Sequence, residues 1–287
     1  MTIAFAGERG AFGELAALEF FGKQQKLVAV PEFGDVFKGV KNGVFTFGVV
    51  PIENSLAGSI HQNFDDLLEN NLFIAGEVLL CIHQFLIANK GVTQKQLERI
   101  YSHPVVFPQC KKFLKKFPHL ALIPASNTAV AVKKIRDEKL ADAAAIASMQ
   151  AAIDYDMKVL ARNIEDTKWN TTRFLVLSKK MRTLSPAVKE RKSSVVFSMK
   201  SRPGALLECL NAFAKRGINL RKIESRPIHR RAHRFAYLFY LDFDGDIRSV
   251  AQKEAIKELQ TLTTFYRFLG SYPIGIPRNP AYRPRRA

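Results

Sequence analysis

The sequence has no long hydrophobic run. Apolar stretches such as 78–82 (VLLCI) are far shorter than the roughly 20 residues that a membrane-spanning helix needs. The first residues also lack the basic segment and apolar core of a secretory signal, because the polar segment 7–10 (GERG) interrupts them at once. These absences argue against a membrane protein and predict a cytoplasmic one.

Cysteine is scarce, with three residues in 287. Cys81, Cys110 and Cys209 are widely spaced, form no Cys-x-x-Cys motif, and are accompanied by histidines without metal-ligand spacing. The sequence therefore predicts neither a disulfide framework nor a metal site. We interpret the cysteines as small buried hydrophobic residues.

Acidic residues are also few, since 26 Asp and Glu face 44 Lys and Arg and leave a formal net charge of +18. Such a charge suits an anionic partner, whether nucleic acid, a membrane surface or a polyanionic metabolite. The excess is concentrated in 189–192 (KERK), in 230–234 (RRAHR) and in the tail 278–286. No nucleic-acid module or aromatic-basic strand motif surrounds these residues. We interpret them as a solvated basic surface; a nucleic-acid binder, the alternative, would lose affinity steeply with salt.

Short apolar runs alternate with amphipathic stretches over the first 180 residues. This alternation predicts parallel sheets with helices on both faces, and the length favours two such lobes with a crevice between them. The predicted strands are 3–5, 27–30, 47–51, one or two within 72–88, 100–101, 120–123 and 143–147. The predicted helices are 11–21, 35–42, one capped by Ser59 and ending near 68, 109–117 and 128–136.

The order of elements changes after residue 180. Residues 179–192 are polar and basic and contain Pro186, which is typical of a linker. Strands at 194–199, 220–228, 235–243 and 265–270 then alternate with helices at 205–216 and 249–259. This is the ferredoxin-like β-α-β-β-α-β order. The tail from Ser271, with four prolines and several arginines, is predicted to be poorly ordered.

Polar motifs flank two of the predicted strands. The segment 50–55 (VPIENS), followed by Gly58, ends one strand, and 170–174 (NTTRF) begins another. Strand ends that carry hydroxyl, amide and guanidinium groups are where an α/β protein assembles a site for a small polar anion. The sequence therefore predicts that these two distant segments meet.

Together with 224–227 (ESRP), these motifs resemble those of the prephenate dehydratase family with a C-terminal ACT regulatory domain. The resemblance runs from Ile3 to about Gly270. It implies a two-lobed, periplasmic-binding-protein-like α/β catalytic domain at 1–180, a linker at 181–192, a ferredoxin-like ACT domain at 193–271, and a basic tail at 272–287. It also implies a lyase that converts prephenate to phenylpyruvate in L-phenylalanine biosynthesis, without a cofactor.

The resemblance assigns roles to individual residues. Thr172, followed by Arg173 and phenylalanine as in the family's motif, would assist departure of the substrate hydroxyl, and Arg173 would pair with a carboxylate. The residues it places around the substrate are Asn54, Ser55, Ser102, Gln109, Thr128 and Asn170.

Several alternatives stay open at these motifs. Glu53 can hold a helix start, hold a neighbouring arginine, or take part in catalysis. His103, next to a proline, is either a general base or a structural turn residue. Thr128 can cap a helix as well as bind substrate. The glycine turn at 7–10 suits an anion or merely a tight turn, and it departs from the family pattern at Glu8 and Ala11.

The ACT-like region resembles the segments that bind phenylalanine between paired ACT domains. The residues implied are Gly204, Ala205, Leu206, Asn219, Leu220, Glu224 and Ser225. The resemblance therefore implies L-phenylalanine as effector and a homodimer or homotetramer. The alternatives are an arogenate dehydratase, a non-catalytic amino-acid sensor, and an ACT region that serves only for dimerisation.

Overall fold

The computed structural model describes residues 1–182, 188, 190–227 and 237–282. The chain divides into two compact units: the first comprises residues 1–70, 78–176 and 276–287, and the second comprises 71–77 and 177–275. Among the described residues, no helix combines the length and apolarity needed to cross a bilayer.

Helices and strands alternate over residues 1–178 as the apolar pattern predicts. The strands are β1 (Thr2–Ala6), β2 (Lys26–Val30), β3 (Phe47–Asn54), β4 (Gly58–Ser59), β5 (Phe73–Cys81), β6 (Phe85–Ala88), β7 (Arg99–Ser102), β8 (Ala121–Pro124), β9 (Ala143–Ala147), β10 (Lys158–Ala161) and β11 (Thr171–Ser178). The helices are α1 (Phe12–Phe21), α2 (Phe33–Lys41), α3 (His61–Glu69), α4 (Val106–Gln109), α5 (Lys111–Leu114), α6 (Thr128–Asp137) and α7 (Met149–Asp154).

The first sheet has the strand order β16-β5-β11-β3-β1-β2, in which β16 is Pro277–Arg278, and β4 pairs with β3. Strand β1 pairs in parallel with both β2 and β3. It is buried almost throughout, as expected for a central strand that helices cover on both faces. This order places β3 next to β11, so the two motif-bearing strands are neighbours.

The second sheet has the order β10-β6-β9-β7-β8. Strand β7 pairs in parallel with β8 and β9, but β6 and β10 run antiparallel to their partners. The prediction of purely parallel sheets is therefore wrong for this lobe. Alternation of helices and strands does not reveal the direction of strands added at an edge.

Close backbone approaches join the two lobes. A Cβ atom on Gly7, whose φ is +104°, would lie 2.6 Å from Asn127 Nδ2. A Cβ on Gly10 would lie 2.5 Å from Ala151 Cα, and the Ser148 hydroxyl donates to the Gly10 carbonyl at 2.6 Å. The glycines of the 7–10 turn are therefore needed for the contact between the lobes.

The second unit contains the predicted β-α-β-β-α-β order. Its elements are β12 (Arg191–Met199), α8 (Ala205–Ala214), β13 (Leu220–Pro227), β14 (Tyr237–Asp244), α9 (Val250–Leu262) and β15 (Thr263–Pro273), with the strand order β13-β14-β12-β15. Helices α8 and α9 bury Cys209, Phe213 and Leu259 in one core with the sheet. The ferredoxin-like prediction is confirmed.

Part of the predicted basic surface is buried. Strand β12 begins at Arg191, and the Lys192 ammonium lies 2.7 Å from Glu77 Oε2 with both side chains nearly inaccessible. Arg191 donates to Asp246 at 2.7 Å. These two cations therefore pair within the unit instead of being solvated. Arg230, Arg231, Arg234 and the last arginines of the tail lie outside the described residues.

Other local predictions were wrong. Ser59 does not cap a helix; it lies in β4, and Ile60 occupies the N-cap position of α3. The helix predicted for 109–117 is two short helices, α4 and α5, separated by Cys110. The tail is ordered as far as it is described, because strand β16 (Pro277–Arg278) pairs in parallel with β5.

Candidate active site

Asn54 and Thr172 meet where β3 ends and β11 begins. Asn54 is the last residue of β3 and Thr172 is the second residue of β11. Side chains alternate along a strand, and the buried Ile52 and Phe174 lie two positions away from Asn54 and Thr172. The two polar side chains therefore lie on the sheet face that is buried, and each is 8% exposed.

The orientation of the Asn54 amide follows from its backbone partners. Its Oδ1 accepts hydrogen bonds from the N–H groups of Leu56 and Ala57 at 3.0 and 2.9 Å. Its Nδ2 must then face the other way, where it donates to Asn170 Oδ1 at 2.7 Å and to Thr172 Oγ1 at 2.9 Å. All the hydrogen-bonding capacity of this side chain is used within the protein.

The orientation of the Asn54 amide determines those of Asn170 and of Gln109, which lies in the second lobe. Because Asn170 accepts with Oδ1, its Nδ2 faces Gln109, which accepts with Oε1 at 2.9 Å. Asn170 is fully buried, and Gln109 is 8% exposed at the end of α4. A directed series of side-chain amides therefore connects β3, the start of β11 and α4.

Two hydrogen-bond donors remain at the ends of this series. The Thr172 oxygen accepts from Asn54, so the hydroxyl hydrogen points elsewhere, and no acceptor for it lies among the described residues. The Gln109 Nε2 hydrogens likewise find no acceptor among the described residues. The bond from Asn54 also strengthens the Thr172 hydroxyl as a donor, because it stabilises negative charge that develops on the oxygen.

Ser55 joins the two strands through backbone groups. Its hydroxyl donates to the Trp169 carbonyl at 3.1 Å and accepts from the Thr171 N–H at 3.0 Å, while its own N–H donates to the Thr171 carbonyl. The Ser55 hydroxyl is therefore occupied in holding 169–171 against β3.

Glu53 and Arg173 lie on the opposite face of the same two strands. Glu53 Oε2 is 4.0 Å from Arg173 Nη1. The alternation that places Thr172 on the buried face directs Arg173 away from it. Of the three roles left open for Glu53, the contact supports the one in which it holds a neighbouring arginine.

Ser102 and Thr128 make no hydrogen bond to this cluster among the described residues. Ser102 is fully buried at the end of β7, and its hydroxyl donates to the Ile146 carbonyl at 2.7 Å. Thr128 is the first residue of α6, but Asn127 caps the helix by accepting from the Ala129 N–H at 2.8 Å. The capping role considered for Thr128 was therefore wrong, and its hydroxyl has no partner among the described residues.

Two titratable side chains near the site have shifted pKa values. Burial lowers the pKa of His103 and so favours the neutral imidazole, and His103 Nδ1 accepts from the Val105 N–H at 3.3 Å. This contact is that of a turn residue. Burial, with Glu165 and Asp166 nearby, raises the pKa of the Cys110 thiol far above its usual value. Cys110 is therefore a buried thiol, as predicted.

The glycine turn uses its amides internally. The N–H of Gly7 donates to the Val30 carbonyl, that of Gly10 to the Glu14 carboxylate at 2.7 Å, and that of Ala11 to the Glu8 carbonyl. These three groups are therefore occupied, which favours the interpretation of this segment as a tight turn between the lobes.

Sequence reasoning missed two contributors to the site. Asn127 is the cap of α6 and the neighbour of Gly7, and asparagine before a predicted helix was a usable signal. The backbone of Asp166 donates to the Gln109 carbonyl at 2.7 Å, while its side chain accepts from the Lys112 N–H at the start of α5. No sequence signal links Asp166 to Gln109, because the two are far apart along the chain.

The predicted effector residues all lie in the second unit. Gly204, with φ +77°, precedes α8, and Ala205 and Leu206 begin that helix. The Asn219 side chain donates to Asp244 at 3.3 Å immediately before β13, which contains Leu220, Glu224 and Ser225. The two segments therefore belong to a helix start and an edge strand of one sheet.

Family models match nearly the whole chain. The model described as prephenate dehydratase matches residues 3–182, and that described as ACT domain matches 193–259. The fold and the site together define a two-lobed, periplasmic-binding-protein-like α/β enzyme followed by a ferredoxin-like regulatory domain. The chain belongs to the prephenate dehydratase family.

Individual relatives agree with this assignment. Arogenate dehydratase/prephenate dehydratase 2, chloroplastic, of Arabidopsis thaliana is 42% identical over 96% of this chain and 73% of its own length. The bifunctional chorismate mutase/prephenate dehydratase of Aquifex aeolicus is 38% identical over 95% of this chain and 74% of its own. The structure of prephenate dehydratase from Arthrobacter aurescens in complex with L-Phe superposes with a TM-score of 0.86 at 30% identity, covering 96% of this chain and 90% of that one.

Proposed function

We propose that this chain catalyses the decarboxylative dehydration of prephenate to phenylpyruvate. The observation that carries this proposal is the Thr172 hydroxyl, which is fixed by Asn54 and retains its hydrogen for an outside acceptor. A binding protein needs donors that recognise its ligand, but it does not need one positioned to assist a leaving group. The arrangement thus favours the enzyme over the non-catalytic sensor.

The reaction breaks two bonds of the substrate and forms an aromatic ring. The bond from the ring carbon to its carboxylate breaks, its electron pair completes the aromatic ring, and the hydroxyl at the opposite ring carbon leaves. Carbon dioxide and, after one proton is taken up, water are the other products. The site must hold two carboxylates, orient the ring and assist departure of the hydroxyl.

Thr172 provides that assistance in our proposal. Its hydroxyl hydrogen is donated to the leaving oxygen as the carbon–oxygen bond lengthens, and the threonine regains a proton from water. A threonine hydroxyl is a weak acid, so donation accompanies bond breaking rather than preceding it.

The other predicted residues take different positions around the substrate. We place Gln109, through Nε2, and Thr128 in contact with substrate oxygens, since both retain donors. Asn54, Ser55 and Asn170 act behind them, because their polar atoms are engaged within the protein. Arg173 adds positive charge from the opposite face of the two strands, where the Glu53 carboxylate at 4.0 Å partly offsets that charge. Ser102 supports the end of β7.

Regulation by L-phenylalanine belongs to the second part of the chain. The similar Arthrobacter aurescens structure is a complex with L-Phe, and the ACT domain model matches this chain at 193–259. We place the effector at 204–206, 219–220 and 224–225, in a homodimer or homotetramer. Catalysis is assigned to 1–180 and regulation to 193–271, with 181–192 as linker and 272–287 as tail. The expected location is the cytoplasm, although the Arabidopsis relative is named chloroplastic.

One assay separates the candidate reactions. Purified protein is mixed with prephenate and, in parallel, with arogenate, and formation of phenylpyruvate or phenylalanine is followed with and without added L-phenylalanine. We expect turnover of prephenate that L-phenylalanine changes. Turnover of arogenate alone would show that the chain is an arogenate dehydratase. If neither compound were turned over, the non-catalytic amino-acid sensor would be the better interpretation.

A further inference from the structure

We propose that Asn170 is a positioning residue that sets the orientation of the Gln109 side-chain amide and so determines that this side chain presents a donor to the substrate. The inference rests on the proposed function, because it concerns the same site. Asn170 is fully buried, so it acts through Gln109 and not by contact with substrate.

The polarity of the amide series originates in the backbone. The N–H groups of Leu56 and Ala57 can only donate, so the Asn54 atom facing them must be oxygen. Asn54 Nδ2 can only donate, so the Asn170 atom facing it must also be oxygen. Asn170 then presents Nδ2 to Gln109. Each amide orientation follows from the preceding one.

Of the three amides, Gln109 is the one with a polar atom, Nε2, that bonds to no described residue. An amide can present either its oxygen or its nitrogen, and an isolated Gln109 would be free to rotate by half a turn. The Asn170 N–H fixes the oxygen inwards, which leaves Nε2 for an outside acceptor. Carboxylate oxygens of an anionic substrate are such acceptors.

Asn170→Asp reverses this polarity with a single change. The ionised carboxylate still accepts from Asn54, but it offers Gln109 a second acceptor instead of a donor. Gln109 then turns Nε2 inwards and presents Oε1 to the substrate. When protonated, the same carboxyl donates to Gln109 Oε1 and restores the native orientation. Full burial at this position raises the carboxyl pKa, against the lowering by the N–H groups of Asn54 and Gln109, and we expect the balance to bring protonation within an accessible pH range.

The test is the pH dependence of kcat/KM with prephenate for Asn170→Asp relative to the wild-type protein. At pH 8 we expect a deficit of roughly 10- to 100-fold, the effect of losing one hydrogen bond to a charged oxygen. The deficit shrinks at least about tenfold by pH 5. Because the Asn54–Thr172 bond is kept, KM rises more than kcat falls.

Other titratable groups lie near the amide series, and they are the same in the Asn170→Asp variant and in the wild-type protein. Asp166 and Glu165 lie near Cys110 beside Gln109, and the Glu53–Arg173 pair lies on the other sheet face. The ratio of variant to wild type at each pH removes their contribution. Thermal melting at each pH shows whether both proteins are folded.

Asn89→Asp is the matched control. Asn89 is an amide of the same unit that donates to the carbonyls of Ile135 and Leu140, at 2.8 and 2.9 Å, outside the amide series. Its replacement introduces the same charge and is expected to reduce stability without a pH-dependent change in the kcat/KM ratio.

A double-mutant cycle tests the positioning role of Asn170 even if the Asn170→Asp variant does not fold. Asn170→Ala and Gln109→Ala are each expected to lower kcat/KM roughly 10- to 100-fold, and the double variant to lose little more than Gln109→Ala alone. Additive losses, or a pH-independent Asn170→Asp deficit, would overturn the positioning role while leaving the dehydratase intact. A wild-type protein that neither turns over nor binds prephenate or arogenate would overturn both proposals.

Discussion

Thr172 is held by one hydrogen bond that it accepts and is available for one that it donates. Replacing Thr172 by alanine removes the hydroxyl donor but leaves a small buried side chain at the same position of β11. We expect Thr172→Ala to lower kcat by roughly 10²–10⁴-fold, the usual contribution of a positioned proton donor. Steady-state assays with prephenate measure this directly, and Thr172→Ser should recover part of the loss.

Thr171→Ala is the neighbouring control. The Thr171 hydroxyl bonds weakly to the Trp169 carbonyl at 3.4 Å, and its side chain faces away from Asn54. We expect kcat to change by no more than about twofold, as for substitutions outside packed or charged contacts. Near-normal turnover by Thr172→Ala, or an equal loss in both variants, would contradict the role of the Thr172 hydroxyl.

The sequence predicted which residues belong to the site better than it predicted the role of each one. The motifs shared with the family identified Asn54, Thr172, Asn170 and Gln109 as residues around the substrate. They did not distinguish residues that contact substrate from residues that hold others, since that depends on which amide hydrogens are already taken. Hydrogen bonds between residues more than 100 positions apart leave no local sequence pattern.

Among the elements, the C-terminal segment differs most from its prediction. Proline and arginine suggested disorder, but 277–282 is held by contacts that the sequence does not announce. Strand β16 pairs with β5, Asn279 Oδ1 lies 3.1 Å from His83 Nε2, and the Tyr282 ring meets Phe85 edge-on at 5.9 Å. Composition predicts disorder only where no partner surface exists, and here the first unit provides one.

Tyr282 tests whether this segment contributes to stability. We expect Tyr282→Ala to lower the free energy of unfolding of the first unit by about 3 kcal/mol, as for other large aromatic side chains. The Tyr282 hydroxyl is buried without a partner among the described residues. Tyr282→Phe should therefore be neutral or stabilising by up to about 1 kcal/mol.

Urea unfolding followed by circular dichroism suits this comparison, because the single tryptophan of the chain, Trp169, is already 74% exposed in the folded protein and would report unfolding weakly by fluorescence. Equal stability of the alanine variant and the wild-type protein would show that the tail does not contribute. A phenylalanine variant as unstable as the alanine variant would show that the hydroxyl, and not the ring, is needed.

At the scale of the whole molecule, the order of elements was predictable and the membership of the units was not. The β-α-β-β-α-β order of the second unit follows from its apolar runs and helical segments, which is why its fold was predicted. Residues 71–77 nevertheless join that unit, although residues of the first unit flank them on both sides. The buried Glu77–Lys192 pair is one reason, and such long-range pairing has no period to detect.

The assignment of catalysis and effector binding to different units leads to the last prediction. Asn219 lies at the start of β13, where its side chain donates to Asp244 and its carbonyl accepts from the Asp244 N–H at 2.9 Å. Asn219→Ala removes the side-chain amide from the proposed effector site. We expect it to need at least about tenfold more L-phenylalanine for the same change in prephenate turnover, the effect of one lost hydrogen bond to a charged group.

Linkage supplies the control for that experiment. If L-phenylalanine changes the affinity for prephenate by some factor, prephenate must change the affinity for L-phenylalanine by the same factor. Thr172→Ala, which lowers turnover and leaves the second unit unchanged, should therefore still bind L-phenylalanine in calorimetry, and added prephenate should shift that affinity. An unchanged response in Asn219→Ala would place the effector elsewhere in the second unit. Failure of Thr172→Ala to bind L-phenylalanine would show that the two sites do not belong to separate units.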